Sequence, residues 1–90
     1  MSGNEKILMK SEDKRSLTEL ASFFRDMADK IERNQLTLKQ GEEEYALHLP
    51  DPVTLELELE DKMKKGRTKR QLEIEIEWYP GEEDSSIKLG

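Results

Sequence analysis

Glutamates at every second position are the residues in this 90-residue sequence whose type and spacing are best suited to binding a partner. They occur in two segments that alternate with aliphatic residues: Glu56, Glu58, Glu60, Glu73, Glu75 and Glu77. If both segments are extended, successive side chains point to opposite faces, so all six carboxylates share one face. One interpretation of this pattern is an electronegative surface that binds a basic protein segment.

Two other interpretations of the glutamate face remain open. The simpler one is a solvated surface that serves solubility and protects sheet edges, and it is favoured because charged residues ordinarily occupy outward strand positions. The other is a divalent-cation site. A calcium site needs about six to eight converging oxygens, whereas a strand spreads its carboxylates along a row. We therefore predict no metal site and no cofactor.

A basic segment lies between the two glutamate segments: Lys62, Lys64, Lys65, Arg67, Lys69 and Arg70. Read as a hairpin loop, it offers Lys64, Lys65 and Arg67 as phosphate contacts, and a nucleic-acid-associated protein is the alternative function. The loop has no aromatic residue for base stacking. The net charge of −6 also weighs against nucleic acid and anionic membranes as partners. A solvated hairpin tip is therefore the preferred interpretation.

Catalytic motifs are missing from the sequence. His48 is the single histidine, and no nucleophile or second base stands in a recognisable arrangement with it. There is no cysteine, which excludes disulfides and thiolate metal sites. The five glycines are isolated and do not form a phosphate-binding loop. We expect a protein that is not an enzyme.

The elements that position these residues follow from periodicity. The glutamate segments predict two strands, Val53–Asp61 and Arg70–Trp78, whose other face is apolar and ends in Trp78. A Ser-x-x-Glu capping box starts a helix, Ser16–Arg33, that is expected to cover this apolar face. Alternation predicts three further strands, at 5–10, 36–39 and 45–49.

The resulting order is β-α-β-β-β-β. Strands that alternate sharply have one wet face, and one helix can cover only the other face. We therefore predict a two-layer α+β domain with one helix packed on a five-stranded, mainly antiparallel sheet. A right-handed crossover gives the strand order 1-5-4-3-2. Residues 1–4 are expected to be a flexible terminus, 5–80 a single domain and 81–90 a disordered acidic tail.

Three segments resemble the amphi-Trp domain family, whose name describes an amphipathic strand ending in tryptophan. They are Phe24-Arg25-Asp26-Met27-Ala28-Asp29-Lys30-Ile31, Leu55-Glu56-Leu57-Glu58 and Leu72-Glu73-Ile74-Glu75-Ile76-Glu77-Trp78. With the capping box, the resemblance extends over about Glu5–Trp78. It implies a small bacterial or archaeal domain of unknown function, and it supplies no active site.

These observations together favour a small non-catalytic interaction or accessory domain. No apolar run approaches the ~18 residues of a membrane-spanning helix, and no signal-peptide core follows Met1. A cytoplasmic location is expected. The outward Leu8 and an edge strand at 36–39 suggest a monomer or a weak homodimer. A stress or solubility factor without a specific partner is a third possibility.

Overall fold

The structure is a computed structural model, and it describes residues 4–81. The chain divides into two compact units, Met1–Leu47 and His48–Gly90. The expected flexible terminus 1–4 and acidic tail 81–90 lie outside the described residues, except for Asn4 and Gly81. The expectation of one domain over 5–80 stays a prediction.

The first unit contains the helix α1, Leu17–Glu32. Its capping box is confirmed: the Glu19 N–H donates to Ser16 Oγ at 3.0 Å, and the Ser16 N–H donates to Glu19 Oε1 at 2.9 Å. These two bonds satisfy donors that the first turn of a helix otherwise leaves unpaired. The helix ends at Glu32, and the N–H of its C-cap residue Arg33 donates to the Asp29 carbonyl. Asn34 follows with a φ of 55°.

Two short strands complete the first unit, β1 (Leu36–Gln40) and β2 (Glu43–Leu47). They pair antiparallel, with Leu38 opposite Tyr45, across a turn in which Gly41 has a φ of 61°. The helix α1 contacts β1. Among the described residues, Leu36 is the one buried hydrophobic side chain, so the core of this unit is small.

The second unit is a long hairpin of β3 (Thr54–Lys64) and β4 (Arg67–Glu77). The antiparallel ladder runs without interruption from the Thr54–Glu77 pair to the Lys64–Arg67 pair. Lys65 and Gly66 form the connection, with φ values of 53° and 74°. Two successive positive φ values are typical of the type I′ turn, whose twist matches that of the flanking strands.

The predicted five-stranded sheet is wrong. The four strands form two separate two-stranded sheets, and the order of elements is α-β-β-β-β. Residues 5–10 have no strand structure, and Ile7 is exposed; instead the Gln40 side-chain amide donates to the Lys10 carbonyl at 2.8 Å. Pro50 and Pro52 lack an N–H for a ladder, and they separate the two sheets along the chain.

Three further sequence predictions change with this correction. The strand order 1-5-4-3-2 and the helix layer over five strands are wrong, because both assumed one sheet. The predicted basic loop 62–70 is also wrong, because β3 continues to Lys64 and β4 begins at Arg67. Within residues 4–81, no helix is long and apolar enough to cross a membrane.

Candidate functional site

The six predicted glutamates lie on one face of the second hairpin, and we call them the acidic strip: Glu56, Glu58, Glu60, Glu73, Glu75 and Glu77. Two of the ladder pairs place glutamate directly opposite glutamate, Glu56 with Glu75 and Glu58 with Glu73. Glu60 lies opposite Gln71 and Glu77 opposite Thr54. The register therefore brings all six together, and their use in binding a partner stays a prediction.

The turn is the local cause of this arrangement. A two-residue connection at Lys65–Gly66 pairs residues that lie at equal distances from it on the two strands. Glutamates at alternate positions on β3 therefore meet glutamates on β4. A shift of either strand by one residue would move its side chains to the opposite face, so this turn determines the composition of the acidic strip.

Mutual repulsion raises the pKa of two carboxyl groups in the acidic strip. The charge of Glu73, followed by that of Glu60, raises the pKa of Glu58 above its ordinary value. The charge of Glu56, followed by desolvation, raises the pKa of Glu75. A nearby like charge disfavours the ionised form of a carboxyl group. The acidic strip is therefore a place where an added positive charge lowers the electrostatic energy.

Three members of the acidic strip come close enough to share an ion. Carboxylate oxygens of Glu56, Glu75 and Glu77 lie within 4.8 Å of one another, and all three residues are exposed. The sequence analysis expected the carboxylates to spread along a row, and this part of the row is more compact than expected. Three exposed ligands are fewer than the about six to eight oxygens of a calcium site.

The basic residues continue the same face toward the turn. Lys62 lies opposite Lys69 and Lys64 opposite Arg67. With Lys65 in the turn, these residues form what we call the basic tip: Lys62, Lys64, Lys65, Arg67 and Lys69. A surface depression of about 510 Å³ lies among Lys64, Lys65, Arg67, Thr68 and Lys69. The polar face of the hairpin is thus acidic toward its open end and basic toward its turn.

Arg70 does not belong to the basic tip, although the sequence analysis grouped it there. It lies on the apolar face, opposite Asp61, and its guanidinium donates to both carboxylate oxygens, from Nε at 2.8 Å and from Nη2 at 3.0 Å. This hydrogen bonding lowers the pKa of Asp61. The alternation of side chains along β4 separates Arg70 from Lys69 and would have identified this difference.

A cavity at the open end of the hairpin was missed by the sequence analysis. It measures about 490 Å³, and its lining includes Pro50, Pro52, Trp78 and Tyr79. Trp78 is half-buried and Tyr79 is exposed. The sequence has two prolines just before β3 and two aromatic residues just after β4. Pairing of the two strands brings these four residues together, and this would have predicted the cavity.

The described residues, 4–81, form an α+β structure with one helix and two hairpins, and its last strand is amphipathic and is followed directly by tryptophan. Residues 2–89 match the Amphi-Trp domain, so the chain belongs to the Amphi-Trp domain family. The resemblance drawn from the sequence is confirmed. No curated protein and no solved structure matches the chain significantly.

Proposed function

We propose that this protein is a small non-catalytic interaction domain whose acidic strip binds a basic segment of another protein. The observation that supports this function is the direct opposition of Glu56 to Glu75 and of Glu58 to Glu73. Like charges in such pairs are destabilising, and the raised pKa values of Glu58 and Glu75 record their repulsion. A cationic ligand placed along the strip would relieve it.

The spacing of the acidic strip indicates the shape of the ligand. Side chains on one face of a strand repeat every ~6.8 Å, and neighbouring strands lie ~4.8 Å apart. An extended peptide with lysine or arginine at alternate positions has the same repeat. Five of the six side chains are exposed and Glu73 is half-buried. Because the Debye length is about 8 Å at physiological ionic strength, added salt will weaken the complex.

We also propose that the protein is not an enzyme. Acid–base catalysis by two carboxyl groups requires environments that move their pKa values apart. Glu58 and Glu75 are both exposed, and like charges move both pKa values in the same direction. This arrangement favours electrostatic attraction of a partner over proton transfer.

Peptide binding measured by fluorescence anisotropy tests the proposed function. The probe is a labelled extended peptide with lysine at alternate positions. A variant with Glu56, Glu58, Glu73 and Glu75 all changed to glutamine should bind it at least tenfold more weakly. The matched control changes Glu12, Glu42, Glu43 and Glu44 to glutamine, which removes the same charge from the first unit and should leave binding intact.

Comparison of the two glutamine variants distinguishes binding by the acidic strip from attraction by the net charge of the protein. Equal losses in the two variants would mean that overall charge alone attracts the peptide, and the strip would have no special role. Failure of the unmodified protein to bind the peptide at low salt would refute the proposal directly.

The second candidate function is nucleic-acid association through the basic tip. The observation that favours it is the pairing of Lys62 with Lys69 and of Lys64 with Arg67 on one face, beside the depression. The acidic strip on the same face repels phosphate, so we rank this function second. A salt-dependent shift of labelled RNA or DNA that is lost in a Lys64→Gln, Arg67→Gln variant would reverse that ranking.

A further inference from the structure

The cavity at the open end of the second hairpin has no role in the function proposed above. It measures about 490 Å³ and lies where the ladder of β3 with β4 ends, at the Thr54–Glu77 pair. We call it the terminal cavity, and residues 50–54 and 77–79 line it. Its volume falls within the range of about 300–1,000 Å³ that is usual for ligand pockets. All of these residues belong to the second unit, so the pairing of β3 with β4 assembles the cavity.

The lining of the terminal cavity combines negative charge with aromatic rings. Asp51 and Glu77 supply two exposed carboxylates, and Trp78 and Tyr79 supply an indole and a phenol ring. No lysine, arginine or histidine is among the residues that line it. Carboxylates attract a cation directly, and the faces of aromatic rings attract it through their quadrupole. The two kinds of group therefore favour the same class of ligand, a cation.

The charges around the terminal cavity strengthen this preference. The salt bridges that the structure shows within residues 48–81 lie toward the turn, and neither uses a carboxylate of the cavity. Glu77 also belongs to the acidic strip, and its carboxylate oxygens lie within 4.8 Å of those of Glu56 and Glu75. Pro50 and Pro52 have carbonyl acceptors but no N–H donor to offer an anion. A cationic segment that follows the acidic strip thus reaches the cavity without crossing positive charge.

We propose that the terminal cavity binds an arginine side chain of the basic segment, whose guanidinium stacks on the aromatic rings and donates to the carboxylates. The inference rests on the proposed function for the segment, and it specifies the residue that the segment carries at the open end of the hairpin. Glu77 connects the two sites, because it lies at the end of the acidic strip and in the lining of the cavity.

The chemistry of the lining selects arginine from among the cations. The lysine ammonium is a strongly hydrated point charge, whereas the guanidinium is planar, weakly hydrated and stacks readily on aromatic rings. A quaternary ammonium group also binds aromatic rings, but it has no N–H to donate to Asp51 and Glu77. The guanidinium has five N–H donors in a fixed plane. Aromatic rings supply no oxygen ligand for a divalent metal ion, which requires several oxygens.

Three labelled peptides test the preference for arginine by fluorescence anisotropy. Each has lysine at alternate inner positions, and they differ only in carrying arginine, lysine or uncharged citrulline at both ends. Changing both ends allows either direction of binding to present the residue to the cavity. The arginine peptide should bind about threefold more tightly than the lysine peptide, since an exposed cation–π contact is modest. Because arginine and lysine carry the same charge, general attraction by the acidic strip cancels in this ratio.

Two variants locate the preference in the terminal cavity. Tyr79→Leu and Asp51→Asn change the lining without changing the acidic strip, and both side chains are exposed, which favours retention of the fold. Each variant should bind the arginine and lysine peptides equally. The matched control Asp26→Asn removes the same charge from α1 and should keep the preference. A preference for arginine that survives in both cavity variants would overturn the proposal.

The outcomes separate this inference from the proposed function. Tight binding of the lysine peptide without a preference for arginine would overturn the inference and leave the proposed function standing. If neither peptide binds, the proposed function fails, and the cavity is tested alone with Nα-acetylarginine amide. Trp78 is the single tryptophan, so its emission reports directly on the terminal cavity. The arginine compound should change this emission more than Nα-acetyllysine amide does, and an unchanged emission or an equal effect of the two compounds would refute the arginine site.

Discussion

Replacing Gly66 by alanine should destabilise the second hairpin by about 1–2 kcal/mol, the cost of a left-handed backbone at a residue with a side chain. Gly66 has a φ of 74° in the two-residue turn. A Cβ atom added there meets no atom within 4 Å. The cost is therefore that of the local backbone conformation, without a clash against other parts of the chain. This position therefore measures how strongly the turn holds the register.

Urea unfolding followed by fluorescence is the assay. Trp78 is the single tryptophan and directly follows β4, so its emission reports on this hairpin. Small proteins have m values of about 1 kcal/mol per molar urea, so the midpoint for Gly66→Ala should fall by about 1 M or more. The matched control is Lys65→Asn: Lys65 has a φ of 53°, and asparagine is a preferred residue in type I′ turns.

The two variants should move the midpoint differently. Lys65→Asn should leave it unchanged or raise it, because asparagine tolerates positive φ better than lysine. A Gly66→Ala protein with the midpoint of the unmodified chain would show that the Lys65–Gly66 turn does not determine the pairing of β3 with β4. The explanation given above for the composition of the acidic strip would then be wrong.

Two further predictions concern the acidic strip and the helix. Changing Glu58 and Glu75 to glutamine should raise the urea midpoint at pH 7, because it removes like-charge repulsion that raises the pKa of both groups in the folded state. This gain should disappear as the pH falls below the unfolded pKa of about 4.3, where the carboxyl groups are neutral in both states. A gain that persists at pH 3 would contradict this cause. Ser16→Ala should destabilise α1 by about 1 kcal/mol, measured as a lower thermal midpoint of helical circular dichroism, whereas Ser22→Ala in the helix interior should not.

Local patterns were sufficient to predict the elements that surround the candidate site. The capping box specifies the start of α1 with two residues three positions apart, so no distant contact is needed. The alternation of glutamate with leucine and isoleucine specifies which side chains share a face, because the period of a strand is two. The membership of the acidic strip was therefore available from the sequence.

The sheet could not be predicted in the same way, because pairing between strands depends on interactions distant in sequence. Charge density led the sequence analysis to treat 62–70 as a loop. Exposed strand positions accept lysine and arginine readily, and both strands continue almost to the turn. The useful signal was Lys65-Gly66, a two-residue connection that leaves Met63 and Thr68 paired across the ladder. A two-residue turn at Lys65-Gly66 also predicts the pairing of Glu56 with Glu75.

The register of β3 with β4 produces an unfavourable feature on each face of the second hairpin. On one face the register aligns leucine and isoleucine into an exposed apolar patch, and on the other it opposes glutamate to glutamate. Both features make the isolated hairpin less stable than a hairpin with a buried apolar face and alternating charges. The binding of a cationic segment that we propose would relieve the repulsion along the acidic strip. Because a ligand that binds only the folded state stabilises it, the stability of this hairpin should rise with added basic peptide.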